Sequence, residues 1–429
     1  MREKIILIGL NEINFSYVEE YIKLGYLPAF KKLFSNHGYK RTISENEYQL
    51  LEPWIQWVSI HTGKMYNEHK VFRLGDIVER DDLKQLWEIA EEKGLSVGAV
   101  SPFNAKNNLK KPLFFVPDPW TKTTASGDKT LRKMYEAVSA AVNENANDKL
   151  NFATAKNLLT GILKYIPASR YPHYIKLVLF RLKRKATKAA ILDNILADVF
   201  ITLWKKYKPD FSSLFLNAGA HEQHHYMFNS KVYKGEQQNP EWYIHPDDDP
   251  LLDILTEYDS ILDKLMQLNC RLFIATGLHQ NPHLHNTFYW RLKDHAEFLR
   301  LVGINNYAAI HPRMSRDFLV NFNSASEAGQ AQKKLEKITL NNIPLFDIDN
   351  REKSLFIELV YDDNIEAGSF IKMDDAVTDI DLKKYVSFVA IKNGEHDGTG
   401  YLIDTAKQNN ASDTMMVKDV FNEIVNSFN

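Results

Sequence analysis

The sequence predicts an α/β protein: a doubly wound, mostly parallel sheet flanked by helices, with a helical insertion and a small α+β subdomain. Three observations predict it. Predominantly apolar β-type runs recur at residues 5–10, 96–100, 213–216 and 271–276, the first of them continuous, as in strands covered on both faces. Helix-like stretches alternate with these runs. The runs also end in polar residues, which parallel strands would gather along one edge of the sheet.

Composition sets the bounds. At 429 residues the chain can form two or three domains, or one large core with insertions. Hydrophobic residues make up 44% and charged residues 25%, and the net charge of −2 gives no general attraction to nucleic acid. Cys270 is the single cysteine, so no internal disulfide forms, which fits a reducing, cytoplasmic compartment. The opening residues read as a first core strand rather than a signal peptide. No run approaches the roughly 20 apolar residues of a membrane span.

Taken in order, residues 5–10 form the first strand and end at Asn11 and Glu12. Two helices follow, the second opening near Pro28 and closed by Gly38. Glu52 and Pro53 then start a buried helix that carries Trp57. A helix over 82–94 and a strand at 96–100 complete a first core segment, 1–103. Residues 104–190 lack strand signals and read as a helical insertion or cap. Within it, 174–188 is apolar and basic, with Lys176, Arg181, Lys183, Arg184, Lys185 and Lys188. Such a stretch can make peripheral contact with a membrane or bind an anionic substrate. The commoner arrangement, which we expect, is a solvated basic face with its apolar stripe in the core. A second core segment, 191–312, holds the strands at 213–216 and 271–276. Residues 313–375 read as the α+β subdomain, and 376–429 return to the core, with a last helix over 413–427.

Chemistry concentrates after residue 216. Three histidines fall within five positions, and His221 and His225 stand four apart, on one face if a helix begins there, with Cβ atoms about 6 Å apart. That spacing suits a divalent transition metal, zinc before others and manganese next. The plain alternative is a polar loop whose histidines bond to the backbone. His279, His283 and His285 form a second cluster after the strand at 271–276.

The order of pieces resembles the alkaline phosphatase superfamily, in its type I phosphodiesterase/nucleotide pyrophosphatase and sulfatase-like branch. The likeness rests on four stretches. They are the opening strand with Gly25…Leu27-Pro28-Ala29-Phe30…Leu33…Gly38; Trp57…Thr62-Gly63…His69; the strand and loop from Leu214 to His225; and Glu395-His396-Asp397-Gly398-Thr399-Gly400. The resemblance implies two adjacent zinc-like ions and a Thr or Ser nucleophile. Carried over, it places one metal on His221, His225 and His396, with His279 surviving from the second site. The first-strand Asp falls on Asn11 beside Glu12, and the nucleophile falls on Pro53 or Glu52, neither a hydroxyl. A single ion with a bound water is therefore expected, and Glu52, Glu12 and Asn11 are the candidate catalytic groups. For Glu52 the plain reading is a first-turn residue facing the helix dipole. His224, His283, Tyr226 and Trp57 are the candidate substrate contacts, although His283 and His285 also read as ordinary loop histidines.

Two functions compete. One is a metal-dependent hydrolase or transferase acting on a phosphate, sulfate or related ester of a sugar- or nucleotide-like molecule or glycan conjugate. The other is an inactive relative serving as a binding or scaffold protein, for example in envelope glycan synthesis. The missing hydroxyl favours the second, and the surplus of histidines and carboxylates at strand ends favours the first.

Overall fold

In a computed structural model of the chain, which describes residues 2–143, 152–183, 188–312, 316–374 and 376–428, all six residues of β1 (Ile5–Leu10) are buried. Parallel partners flank it on either side: β5 (Phe211–Leu216) sets Leu216 against Leu10, and β6 (Arg271–Ala275) sets Ala275 against Gly9. Beyond β5 lie β3 (Val97–Val100) and β4 (Phe114–Val116), also parallel. Past β6 the sheet becomes mixed. The strand Thr399–Asp404 runs antiparallel to β6 and to β2 (Lys40–Ile43), and Thr414–Met416 adds a parallel edge to β2. The eight-stranded sheet is thus mostly parallel and doubly wound, as predicted.

Alternation along β1 explains why both faces are covered. Ile6, Ile8 and Leu10 join one core with residues of the helices Lys188–Tyr207 and Pro250–Met266. Ile5 and Leu7 join the other with Trp57, Trp87 and Phe273. Each such fully buried aliphatic side chain contributes about 1.5–3 kcal/mol. Gly9 interrupts the pattern because a Cβ there would meet Phe215 at 2.6 Å and Trp57 at 2.8 Å.

Several expected boundaries move. The last helix, expected over 413–427, is a strand followed by the helix Asp419–Val425, because the open edge of β2 captures the backbone of Thr414–Met416. The stretch beginning at His279 is not a loop but the start of a fourteen-residue strand, His279–Leu292, which pairs with Val386–Asp397. The region 104–190 is helical over Lys129–Asn143, Phe152–Tyr165 and Tyr171–Lys183, but it also supplies β4. Of the basic stretch 174–188, residues 184–187 lie outside the described residues.

The chain divides into two compact units. The first comprises residues 1–235, 239–282 and 394–429 and contains the large sheet and the helical insertion. The second comprises 236–238 and 283–393, so it starts earlier than the expected 313. It holds two four-stranded antiparallel sheets and the helix Ala325–Leu335. A reciprocal cap starts that helix: Ser324 Oγ accepts from Glu327 N–H at 3.2 Å, and Glu327 Oε2 accepts from Ser324 N–H at 3.1 Å.

Candidate metal centre

Three adjacent parallel strands, β6, β1 and β5, end side by side, and the residues just after them build the site. Glu12 follows β1 in the left-handed backbone region, with φ 60°, and its N–H donates to Thr276 O at 3.0 Å just past β6. For a non-glycine residue this conformation costs on the order of 1–3 kcal/mol, a cost typical of functional sites. Asn11 fixes the carboxylate. The Trp57 indole can only donate, and it donates to Asn11 Oδ1 at 2.8 Å. Asn11 Nδ2 must therefore face Glu12 Oε1 and Asn217 Oδ1, each at 2.8 Å.

After β5 the helix Ala218–Tyr226 begins at once. Its first free N–H groups are taken by buried side chains: Ala218 N–H donates to Asp193 Oδ2 at 2.7 Å, and Gly219 N–H to the Tyr258 hydroxyl at 2.8 Å. Tyr258 donates in turn to Asp193 at 2.6 Å. Burial pushes the Asp193 carboxyl up to about 6, despite the bonds it accepts from Tyr258 and the backbone. So anchored, the helix turns Ala220, Gln223 and His224 toward Glu12, the i, i+3, i+4 set of one face. Gln223 Nε2 donates to Glu12 O at 2.7 Å, and its Oε1 accepts from Asn14 N–H at 3.0 Å. After β6, Gln280 Nε2 donates to Glu12 Oε2 at 2.5 Å and to Ala220 O at 3.1 Å.

His396, from the strand Val386–Asp397, closes the group. Its Nε2 lies 3.1 Å from Glu12 Oε2 and 3.3 Å from His224 Nε2, and His224 Nε2 lies 3.1 Å from the same carboxylate oxygen. Among the described residues, Glu12, His224 and His396 are the set whose ligand atoms converge in this way. Tetrahedral coordination with bonds of about 2.0–2.2 Å has ligand–ligand edges of about 3.3–3.6 Å. The observed triangle is within a few tenths of an ångström of those edges, so the donors fit one cation. Hydrogen bonding alone fits less well: if both imidazoles donate to Glu12, their N–H groups face each other across 3.3 Å.

The side chains of Glu12, His396 and His224 are 2%, 14% and 32% exposed, so the group opens to solvent at His224. Burial alone would raise the Glu12 carboxyl. His396 first and then His224, by charge and hydrogen bonds, overcome it and hold the group below the usual carboxylate range. Glu52, the N-cap residue of the helix Pro53–Thr62, places Oε2 3.8 Å from His396 Nδ1 and does not cap the helix with its side chain.

Other sequence candidates go elsewhere. His221 and His225 do share a helical face, with rings 4.6 Å apart, but it is not the face turned to Glu12, and His221 is exposed to solvent. His279 is committed locally: Nδ1 lies 2.5 Å from Thr399 O and Nε2 3.1 Å from Asn281 Oδ1. Burial lowers its pKa. Trp57 is 1% exposed and positions Asn11 instead of meeting a substrate. Asn11 is likewise 1% exposed and serves Glu12. Tyr226 is buried and stacks on Tyr243, with ring centroids 5.3 Å apart. His283 belongs to the second unit, where its Nε2 lies 3.2 Å from Thr287 Oγ1. Gln223 and Gln280 were not anticipated. The small residue Ala220, three before Gln223 and four before His224, is the one sequence signal for the helix face that Gln223 and His224 share, and Gln280 on another strand has none.

No known protein family and no curated protein matches the chain. Solved structures similar to it include phosphonoacetate hydrolase from Sinorhizobium meliloti 1021, at 12% identity and TM-score 0.46 over 100% of this chain and 96% of that one. Murine ectonucleotide pyrophosphatase/phosphodiesterase 5 is similar at 10% identity and TM-score 0.44, covering 99% and 95%. The alkaline phosphatase of the Antarctic bacterium TAB5 is similar at 10% identity and TM-score 0.41, covering the whole of both chains.

Proposed function

We propose that this chain is a metal-dependent hydrolase or transferase. It would act on a phosphate, sulfate or related ester of a sugar- or nucleotide-like molecule, with Glu12, His224 and His396 holding one divalent cation, zinc or manganese. The observation that carries the reading is the 3.1–3.3 Å triangle of those three ligand atoms at the ends of the central strands. A divalent cation in such a set supplies Lewis-acid polarisation of an ester oxygen and lowers the pKa of a bound water toward neutrality. The chain's own groups do the rest. Asn11 and Gln280 hold the two Glu12 oxygens in place, which leaves its charge aimed at the histidines. Glu52, near His396 Nδ1, either orients that imidazole or accepts a proton from attacking water. Pro53 and Glu52 stand where the resemblance calls for a hydroxyl, which supports water rather than Thr or Ser as nucleophile.

The same absence of a hydroxyl favours a second reading, a non-catalytic binding protein that retains the ion. Elemental analysis and a panel of nitrophenyl phosphate and sulfate esters separate the two. Chelator-stripped and reloaded protein is expected to retain one zinc or manganese ion, lost in His224→Ala and kept in His221→Ala. Loss only in His221→Ala would remove the proposed ligand set. Glu52→Gln is expected to abolish ester hydrolysis with the ion still bound. A loaded wild-type protein that turns over none of the panel leaves the binding reading standing.

A further inference from the structure

The helices Phe152–Tyr165 and Tyr171–Lys183 follow one another, joined by a single turn at Ala168–Arg170. Their inner sides are anchored. Tyr165 and Leu177 are buried, the Tyr165 hydroxyl donates to Asp128 at 2.7 Å, and Arg170 and Tyr174 both donate to Asp198 at 2.8 Å. Their outer sides are apolar. Phe152, Leu159 and Leu163 are 85%, 57% and 61% exposed, and Ile175, Val178 and Leu179 are 60%, 46% and 56% exposed. The intervals of seven and four residues in the first trio, and of three and one in the second, give each helix one outward apolar face. Exposed apolar side chains are ordinarily scattered singly, whereas these six lie on two consecutive helices, three on the outward face of each.

Charge identifies the partner. From Lys149 to Leu192 the sequence contains ten Lys and Arg and no Asp or Glu, within a chain of net charge −2, and two of the ten, Lys164 and Arg170, pair with Asp128 and Asp198 on other segments. Lys156 is exposed one turn from both Phe152 and Leu159, and Lys176 is exposed beside Ile175 and one turn before Leu179. The apolar stripe expected to pack into the core is therefore partly outside it, interleaved with cations. Nucleic acid would use the charge but not the aliphatic side chains. A neutral protein partner would use the aliphatic side chains but has no need of an acid-free segment.

We propose that these two helices dock the protein peripherally onto an anionic lipid bilayer. Their leucine, isoleucine, valine and phenylalanine side chains enter the headgroup–acyl boundary, and their lysines meet lipid phosphates. The contact is interfacial: among the described residues no helix is long and apolar enough to cross a membrane.

Co-sedimentation of the full chain with vesicles tests this. Binding is expected to vesicles of phosphatidylglycerol in phosphatidylcholine, about tenfold or more weaker to phosphatidylcholine alone, and weakened by salt. Leu159→Glu with Leu179→Glu, and separately Lys156→Gln with Lys176→Gln, are expected to reduce it by a similar factor. All four positions are exposed, so helical content, thermal midpoint and bound zinc should stay unchanged, which separates this face from the metal centre. Absence of binding to anionic vesicles overturns the proposal, as does binding that both double variants retain. Dimerisation without lipid that Leu159→Glu with Leu179→Glu abolishes would also overturn it, by making a second copy the occupant.

Discussion

Glu12 and Glu222 are each 2% exposed, yet their carboxyls are driven in opposite directions. Burial penalises the charge on both. At Glu12 the penalty is overcome by His396 and His224, and amide N–H groups from Asn11 and Gln280 complete the shell. At Glu222 burial is joined by the nearby charge of Asp253, and the carboxyl rises well above its ordinary value. Glu222 sits on the same helix as His224, two residues earlier and so on the opposite side. There it lines a cavity of about 210 Å³ with His173, Asp253 and Glu257, and its Oε2 has no hydrogen-bond partner. Depth of burial therefore does not set the state of a carboxylate. The partners do, since they decide whether the buried group is a ready anionic ligand or a neutral acid.

Breaking the Glu12 shell should have the largest effect. Glu12→Gln removes one partner of a buried charge group and leaves amide donors facing the Gln280 amide. Destabilisation on the order of 3–5 kcal/mol is expected in urea denaturation at pH 7, together with loss of bound metal. The pH dependence has a defined sign. The folded-state pKa of Glu12 lies below its reference value of 4.5, so its contribution is complete above pH 4.5 and is lost as the pH falls through the folded value. The gap between wild type and variant should therefore narrow in acid. A gap that stays constant with pH would mean that Glu12 is not ionised in the native protein.

A smaller effect should follow from disturbing only the support. A Cβ on Gly394 would meet Gln280 Oε1 at 2.1 Å and Gln223 O at 2.9 Å. Gly394→Ala is thus expected to push Gln280 off Glu12 without touching a ligand. Zinc affinity should fall by about 10–100-fold in competition with a chelating dye. Unchanged affinity would show that the carboxylate needs no amide to hold it.

These supports explain which parts were legible in the sequence. The strands were, because residues 5–10 and 214–216 are uninterrupted apolar runs and burial on both faces favours that pattern. The gathering of polar residues at one edge of the sheet was legible too, because Asn11, Glu12 and the histidines at 221–225 follow strand ends. The convergence of Glu12 with His224 and His396 was not. The spacing of His221 and His225 correctly places them on one face, but spacing cannot say which face meets the sheet edge. That is settled by where the helix starts, which depends on Asp193 and Tyr258 from distant segments. Likewise the left-handed turn at Glu12 depends on Thr276 O, a partner 264 residues away, which no local pattern reveals. Glutamines are ordinarily surface residues, so Gln223 and Gln280 carried no signal of their own.

The smallest effect, and the sharpest test of the comparison, is Glu222→Met. Methionine keeps the length of the side chain and removes a buried carboxyl oxygen that has no partner. Because the folded pKa of Glu222 is raised, the unfolded chain ionises above pH 4.5 while the folded chain retains its proton. The resulting cost to wild type is absent below pH 4.5 and grows as the pH rises toward the folded value. The variant should therefore be more stable than wild type by roughly 1–3 kcal/mol near pH 7.5, with the pH-dependent part of the gain vanishing below pH 4.5. Its trend is the reverse of Glu12→Gln, whose deficit is largest where the Glu222→Met gain is largest. If Glu222→Met instead destabilises the protein at every pH while His224 still binds metal, then Glu222 is a structural acid with its own partner across the cavity. The contrast between the two carboxylates would then rest on Glu12 alone.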